Sequence, residues 1–410
     1  MNNNPSKVEL INQAFKFHSQ GKIQEAAKCY QYFINQGFKD PRVFSNYGII
    51  LKSLGKLQEA ELSYRKAIEI NPNYIKAYYS LSLFQNSDEN KIWKKQLFSK
   101  SILNQKSKED QIDIYFARAN ILHKEKNYEE SSKFIKLGNQ LNLIVNPSNS
   151  DFLIKKSKAL FIETIKQKIN QKRYSKEQES IFIVGMPRSG STLLESILSV
   201  NNNVDDLGEK NILEESFLKW KTNIQKSTLA ELYFNQINIY SNELRTTTNK
   251  YLYNYQYAGI IARHIPNLKI IHCFRNPLDN ILSIYRANFN KGNEYSSSLI
   301  DCAKVYLDQE EVMTEYKKRF RSKIYDLNYD LLVSNPTQEI KSLICWLGWK
   351  WDDQYYSPHL NPRSVTTAST IQVRSPINTK SLGGWKNYKE LLRPAMEIIS
   401  QKDKYRELKY

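Results

Sequence analysis

The chain has 410 residues, a formal net charge of +18, 40% apolar and 25% charged residues, the proportions of a soluble globular protein with room for two or three domains. Cys29, Cys273, Cys302 and Cys345 lie far apart with no C-x-x-C pair, which argues against a disulfide scaffold or a thiolate zinc site and predicts a reducing compartment. There is no apolar leader and no long apolar run, so the expected location is cytoplasmic with no transmembrane segment, and the excess charge reads as solvated lysines because no aromatic-interleaved basic motif points to nucleic acid.

The first elements repeat. Ala14, Gly21, Ala26 and Tyr30 are followed 34 residues later by Gly48, Gly55, Ala60 and Tyr64, and Ala67 and Pro72 complete the second unit. Small residues at two helix crossings, an aromatic near the end of the second helix and a terminal proline form the tetratricopeptide (TPR) pattern. A degenerate third unit spans Ile75 to Lys106, and a fourth starts near Ile112 with Ala119, Tyr128, Ser131 and Gly138. Residues 1–145 are therefore expected to form a helical solenoid. Its concave surface would bind a peptide or partner protein, or the array would pack on a neighbouring domain or dimerise.

Asn146 to Asp151 is turn-rich, Phe152 to Ile169 reads as a basic amphipathic helix, and Gln171 to Ser180 is polar, making 146–179 a connector. From 180 to about 400, apolar strand-like runs alternate with helical patterns, which predicts a parallel sheet with helices on both faces. Strands are expected at 181–184, 203–207, 268–274 and 323–327, and helices at 192–198, 211–220, 255–264, 277–286, 297–318 and 336–347. The tail from Asn361 to Trp385 lacks apolar periodicity, and a segment of that kind in a compact domain is given a ligand-covering role.

Within this second part, Ile181-Phe-Ile-Val runs into Gly185-Met-Pro187-Arg188-Ser189-Gly190-Ser191-Thr192, and Leu193, Leu194, Ile197 and Leu198 follow at helical spacing. A strand, a glycine-rich turn and a helix start cradle an anion, since backbone N–H groups converge and the helix N-terminus adds roughly half a positive charge. A Walker A loop would have lysine where Ser191 stands, and here Arg188 lies inside the loop. The second informative stretch is Ile270-Ile-His272-Cys-Phe-Arg275-Asn-Pro277, with Ser283 two turns into the next helix. Arg275 ends a strand, where open α/β sheets bind ligands, and its guanidinium suits a phosphate. The five histidines are scattered; no metal cluster is expected, and His272 reads as structural.

Two anion sites and no loop lysine resemble the sulfotransferases that use 3′-phosphoadenosine 5′-phosphosulfate, closest to the protein-tyrosine sulfotransferase branch and, with the repeats, to bacterial TPR/sulfotransferase proteins. The resemblance implies a P-loop-like α/β domain. It assigns the loop Pro187–Thr192 to the donor's 5′-phosphosulfate, and Arg275 with Ser283 to its 3′-phosphate. Gly208-Glu209 matches the family's Gly-Glu, so Glu209 becomes the general base, although Lys210 departs from the second glutamate of the tyrosine-specific branch. Lys250 becomes a contact to the transferring group together with Arg188. Tyr329 is placed near the adenine, Ser369 near the reacting group, and Trp385 beside the 3′-phosphate. Lys380 substitutes for an absent Arg-Lys pair. The donor is a co-substrate and no metal is implied. The acceptor is a hydroxyl or phenol, with a peptide held in the repeat groove favoured.

The chemistry agrees with these assignments. In-line sulfuryl transfer needs donors aimed at the equatorial oxygens and a base for the acceptor hydroxyl. A glutamate partly desolvated in the crevice would have its pKa raised toward that use. Two other readings compete: a P-loop kinase or NTPase, disfavoured by the missing lysine and the absence of a strong Walker B strand, and a repeat adaptor with a non-catalytic nucleotide-binding domain.

Overall fold

A computed structural model describes residues 6–84, 91–166, 178–222, 227–241, 245–289 and 291–409. They form two compact units, one of residues 1–146 with 362–374, the other of 147–361 with 375–410.

The first unit is built of helix pairs, α1 (Lys7–Ser19) with α2 (Ile23–Asn35), α3 (Pro41–Ser53) with α4 (Leu57–Ile70), and α7 (Lys108–Lys124) with α8 (Tyr128–Val145), while α5 (Ile75–Ser82) and α6 (Lys91–Phe98) each pack on α7. Local chemistry sets their starts. Ser6 and Glu9 form a capping box on α1, and Asp40 caps α3 ahead of Pro41. The repeat residues do what their size permits. Ala26, Ala60 and Ala67 are fully buried beside Tyr30 and Tyr64, and a Cβ on Gly48 would come within 2.8 Å of the Tyr64 ring. Residues 85–90 of the third repeat lie outside the described residues. Between α2, α3 and α4 is a groove of about 600 Å³ lined by Ile34, Phe38, Phe44, Tyr47 and Leu62, with Lys39 and Lys66 among its charged residues.

Residues 362–374 also fold with this unit, although they come from the tail expected to cover a ligand. The Val365 N–H donates to the Ser53 carbonyl at 3.0 Å, Arg374 Nη2 donates to the same oxygen at 3.0 Å, and Ile371 packs on the cluster around Leu51 and Tyr64. The tail is thus divided: one half fastens to the α3–α4 turn, and the other belongs to the second unit.

The second unit opens with α9 (Ser150–Lys166); the rest of the expected connector helix and the polar stretch at 171–177 lie outside the described residues. Then come β1 (Ser180–Gly185), α10 (Ser191–Leu198), β2 (Val204–Asp206), α11 (Ile212–Lys221), α12 (Leu229–Ile237), β3 (Thr246–Asn249), α13 (Ala258–His264), β4 (Leu268–Phe274), α14 (Pro277–Tyr285), α15 (Leu299–Phe320), β5 (Ile324–Asn328), α16 (Tyr329–Ser334), α17 (Pro336–Leu347) and α18 (Lys389–Ile399). Among the described residues the strands form one parallel sheet in the order β2-β3-β1-β4-β5. Side chains alternate across a strand: Phe182 and Val184 enter one core with Ile270 and Tyr316, while Ile181 and Ile183 enter another with Ile271 and Leu343. That two-sided burial explains the unbroken apolar run in β1.

Most expected helices appear within two residues of their bounds, but the one at 255–264 begins as a 3-10 segment, Leu252–Tyr257, before α13. β3 was not expected. Its sequence, Thr-Thr-Thr-Asn, carries no apolar signal, and it is a strand because β1 and β2 pair with it on either side. Thr247 is fully buried, its hydroxyl 3.1 Å from that of Ser180. Among the described residues no helix is long and apolar enough to cross a membrane.

Candidate functional site

The chain leaves β1 toward β2 on one side of the sheet and leaves β4 toward β5 on the other. Adjacent connections that run in opposite directions open a crevice at the carboxyl ends of the strands. The loops after β1 and β4 both lie there.

In the first loop, a Cβ on Gly185 would come within 2.2 Å of the Cys273 carbonyl oxygen on β4, so only glycine lets the strands leave the sheet this close together. Arg188 has φ 66, a left-handed conformation that costs a residue with a Cβ about 1–3 kcal/mol and is commonest at functional sites. Gly190 has φ 94, and a Cβ on it would lie 2.2 Å from the Tyr329 ring. Pro187, Ser189, Ser191 and Thr192 are buried, and the Ser189 hydroxyl has no hydrogen-bond partner among the described residues.

α14 fastens this loop. Asn280, fully buried, donates from Nδ2 to the Pro187 carbonyl at 2.9 Å, and Arg188 Nε donates to Ser283 Oγ at 3.0 Å. Arg188 and Ser283, expected at opposite ends of the donor, therefore touch. Arg275 is 6% exposed. Its Nη1 donates to the Arg188 carbonyl at 3.5 Å and its Nη2 to the Ser381 carbonyl at 2.8 Å, and its guanidinium lies 4.7 Å from the centre of the Tyr329 ring. Asp279 and Asp330 each approach it at 3.9 Å, and its Nε has no hydrogen-bond partner among the described residues. Burial pushes the Asp330 carboxyl up, partly offset by the Asn276 N–H and by Arg275.

The rest of the tail docks on the same helix. Asp279 accepts from the Gly383 N–H at 2.7 Å and the Trp385 N–H at 2.9 Å, and Ser381 Oγ lies 2.9 Å from the Tyr329 hydroxyl. Lys380, the expected substitute for the missing basic pair, is solvent-exposed; it is the neighbouring Ser381 that reaches Arg275. Ser369 belongs to residues 362–374 in the first unit, where its carbonyl accepts from the Val373 N–H at 3.2 Å.

On the other side of β1, Lys250 follows β3 and is 1% exposed. Its Nζ donates to Glu209 Oε1 at 2.5 Å and lies 3.8 Å from Glu195 Oε2. The Glu209 side chain is 55% exposed, so the desolvation expected of the base is not found at this carboxylate; it is found at Glu195, 2% exposed on α10. A buried amide chain fixes the Gly208–Lys210 turn. Asn254 Nδ2 donates to Asn249 Oδ1 at 2.6 Å, and Asn249 Nδ2 donates to the Lys210 carbonyl at 3.0 Å. The Lys250 N–H donates to the Gly208 carbonyl at 2.9 Å. Lys210 itself turns away, its ammonium 4.4 Å from the Tyr240 ring centre. Burial raises the Tyr251 phenol, with Glu214 and Glu209 adding to the rise.

His272 is held between Gln309 and Asp326. Gln309 Nε2 lies 2.6 Å from His272 Nε2, which must therefore accept, leaving the Nδ1–H to face Asp326 Oδ1 at 3.4 Å. Burial would raise Asp326, but His272, Lys317 and Arg321 together hold its carboxyl well below the usual range.

Sequence reasoning passed over Glu195, Asp279, Asn280 and Ser381. Glu195 left a trace: a carboxylate among Leu194, Ile197 and Leu198 on the face meant for the core. The other three are polar residues in unremarkable positions and become meaningful only through partners distant in the chain.

The sequence is similar to those of known proteins. Residues 180–353 match the model of the sulfotransferase family, and residues 48–85 match a TPR repeat. An uncharacterized protein of Aquifex aeolicus is 26% identical over 382 residues, covering 86% of this chain and 49% of its own length. Protein-tyrosine sulfotransferase 2 of Gallus gallus is 24% identical over 240 residues, covering 52% of this chain and 64% of its own. The chain thus spans between about half and two thirds of the length of these relatives. The sulfotransferase domain from the curacin biosynthetic pathway aligns with TM-score 0.41 and 18% identity, over 55% of this chain and 98% of that one. Residues 180–353 are thus similar to sulfotransferases, and residues 48–85 to a TPR repeat.

Proposed function

We propose that this sulfotransferase-like domain moves a sulfuryl group from 3′-phosphoadenosine 5′-phosphosulfate to a hydroxyl or phenol. One observation carries the reading: two arginines from neighbouring loops meet at a loop with no lysine, Arg275 donating to the Arg188 carbonyl and the Arg188 side chain donating to Ser283. A single run of phosphates, as in ATP, does not call for two anion sites on separate strands. A nucleotide with a 5′-phosphosulfate and a separate 3′-phosphate does.

The residues present fit such a ligand. Ser189 Oγ and Arg275 Nε are buried polar atoms without hydrogen-bond partners among the described residues, and the glycines at 185 and 190 leave no room for a Cβ. In this reading the loop Pro187–Thr192 holds the phosphosulfate, Arg275 and Ser283 hold the 3′-phosphate with Trp385 beside it, and Tyr329 lies near the adenine. Lys380 adds only exposed charge. The acceptor oxygen bonds to sulfur as the bond from sulfur to the bridging oxygen breaks, and its electron pair leaves with the 5′-phosphate. Arg188 and Lys250 stabilise the equatorial oxygens, and Glu209 takes the acceptor's proton. No step requires a metal. The apolar groove between α2 and α4, with Lys39 and Lys66, suits an extended peptide, and the relatives named as protein-tyrosine sulfotransferases favour a tyrosine on it.

Calorimetry tests this. Adenosine 3′,5′-bisphosphate binds and ATP binds little. A preference for ATP, or binding of neither, overturns the proposal.

A further inference from the structure

We infer that Glu195 is a positioning residue for the transfer step: it is the standing counter-ion that keeps Lys250 charged and in place while Glu209 takes up the acceptor's proton. The inference rests on the sulfotransferase reading above.

The geometry sets up the problem and its solution. Lys250 carries its ammonium in a site only 1% exposed, and a buried charge without a partner is strongly disfavoured. Its nearer partner, Glu209 at 2.5 Å, is more than half exposed. That carboxylate can meet an acceptor, but for the same reason it cannot serve as a permanent partner. As the acceptor oxygen bonds to sulfur and the bridging oxygen departs with its electron pair, the acceptor's proton passes to Glu209. Glu209 is then neutral, and its attraction for Lys250 is gone at the moment the equatorial oxygens most need a cation.

Glu195 supplies what is missing. Its side chain is 3% exposed with Oε2 3.8 Å from the same ammonium, and it lies on α10 one turn after the loop that ends at Ser191. The groups facing Lys250 come from three elements: Glu195 from α10, Glu209 from the turn after β2, and Cys273 from β4. Burial pushes the Cys273 thiol up, so it stays neutral and offers no countercharge. With Glu195 the site holds one cation and one anion after the proton moves. Without Glu195 it holds a buried ammonium with no countercharge, which is strongly disfavoured.

Two measurements test this. In the first, urea unfolding is followed for the full chain and for E195Q, K250M and E195Q/K250M. E195Q is expected to be destabilised, and adding K250M to recover most of the loss, because the double variant buries no unpaired charge. Additive losses overturn the pairing. In the second, calorimetry follows binding of 3′-phosphoadenosine 5′-phosphosulfate to the full chain, E195Q and E195D. E195Q is expected to weaken the donor at least about tenfold, because Lys250 is no longer held toward the sulfuryl oxygens, and E195D to restore most of the affinity. Affinity unchanged in E195Q, or lost alike in E195D, overturns the positioning role even if the cycle shows coupling. A chain that binds no donor overturns the sulfotransferase reading and this inference with it; donor binding that E195Q leaves unchanged overturns only the inference.

Discussion

In the repeat unit Gly48 meets Tyr64 across a single helix hairpin, whereas in the sheet unit Arg188 meets Ser283 over 95 residues of chain and Arg275 meets Ser381 over 106. The two regions hold their key residues by different means. A repeat is stabilised by its own pair and its neighbours, so a misfit there costs stability close to where it is made. The crevice residues are carried on strand ends whose positions the whole sheet fixes. In the proposed reading, truncating one of them removes a contact to ligand while the scaffold stays. The exception in the first unit is the fastening of 362–374, where Ser364 reaches Ser53 over 311 residues.

Substitutions can break this contrast or sharpen it. The largest effect is expected from Glu209→Gln. Transfer should fall by about a hundredfold to ten-thousandfold, the usual worth of a general base, with bisphosphate affinity nearly unchanged because the side chain is exposed and lies on the far side of β1 from Arg275. Normal transfer would remove Glu209 from its role. Arg275→Ala comes next, weakening adenosine 3′,5′-bisphosphate by about a hundredfold or more, as expected when a buried charged contact to a ligand is truncated. Near-wild-type binding by calorimetry would show that the arginine only ties the loop to Ser381.

Gly48→Val tests the other unit. Its Cβ falls within 2.8 Å of the Tyr64 ring, and overpacking of this kind costs about 1–3 kcal/mol. Urea unfolding should show that loss while bisphosphate affinity holds; a matching loss of affinity would break the contrast.

The smallest effect is expected from Asp308→Asn. Burial lifts this carboxyl to about 6, with Ser157 and Lys158 acting the other way. A carboxyl whose folded pKa lies above its unfolded value stabilises the fold at low pH and loses that contribution as pH rises through the folded value. The asparagine variant should therefore gain about 1–2 kcal/mol, allowing for solvent screening, above pH ~6 and nothing below pH ~4. Unfolding curves at the two pH values read the difference; equal gains at both would point to packing rather than charge.

Much of this was legible beforehand because it is carried by spacing. The alanine, glycine and tyrosine positions of the first two repeats, the unbroken apolar run of β1 and the glycine-bounded loop with Arg188 each state their structure within a few residues. β3 was not legible, because three threonines and an asparagine become a strand only when β1 and β2 flank them. Spacing names Lys380 as a cation for the ligand; its side chain is exposed, and the atoms reaching Arg275 are the carbonyl of Ser381 and, through Tyr329, its hydroxyl.

By itself the sequence determined the class of each unit and the glycine-bounded turn between β1 and α10, since periodicity and the conformational needs of glycine are properties of neighbouring residues. The tertiary structure alone decided which polar groups face one another. It joined Arg188 to Ser283, placed Ser369 in the repeat unit, and put a buried Glu195 beside Lys250. The reason is physical: a charge's worth depends on its burial and on partners from other strands, and neither is a property of spacing along the chain.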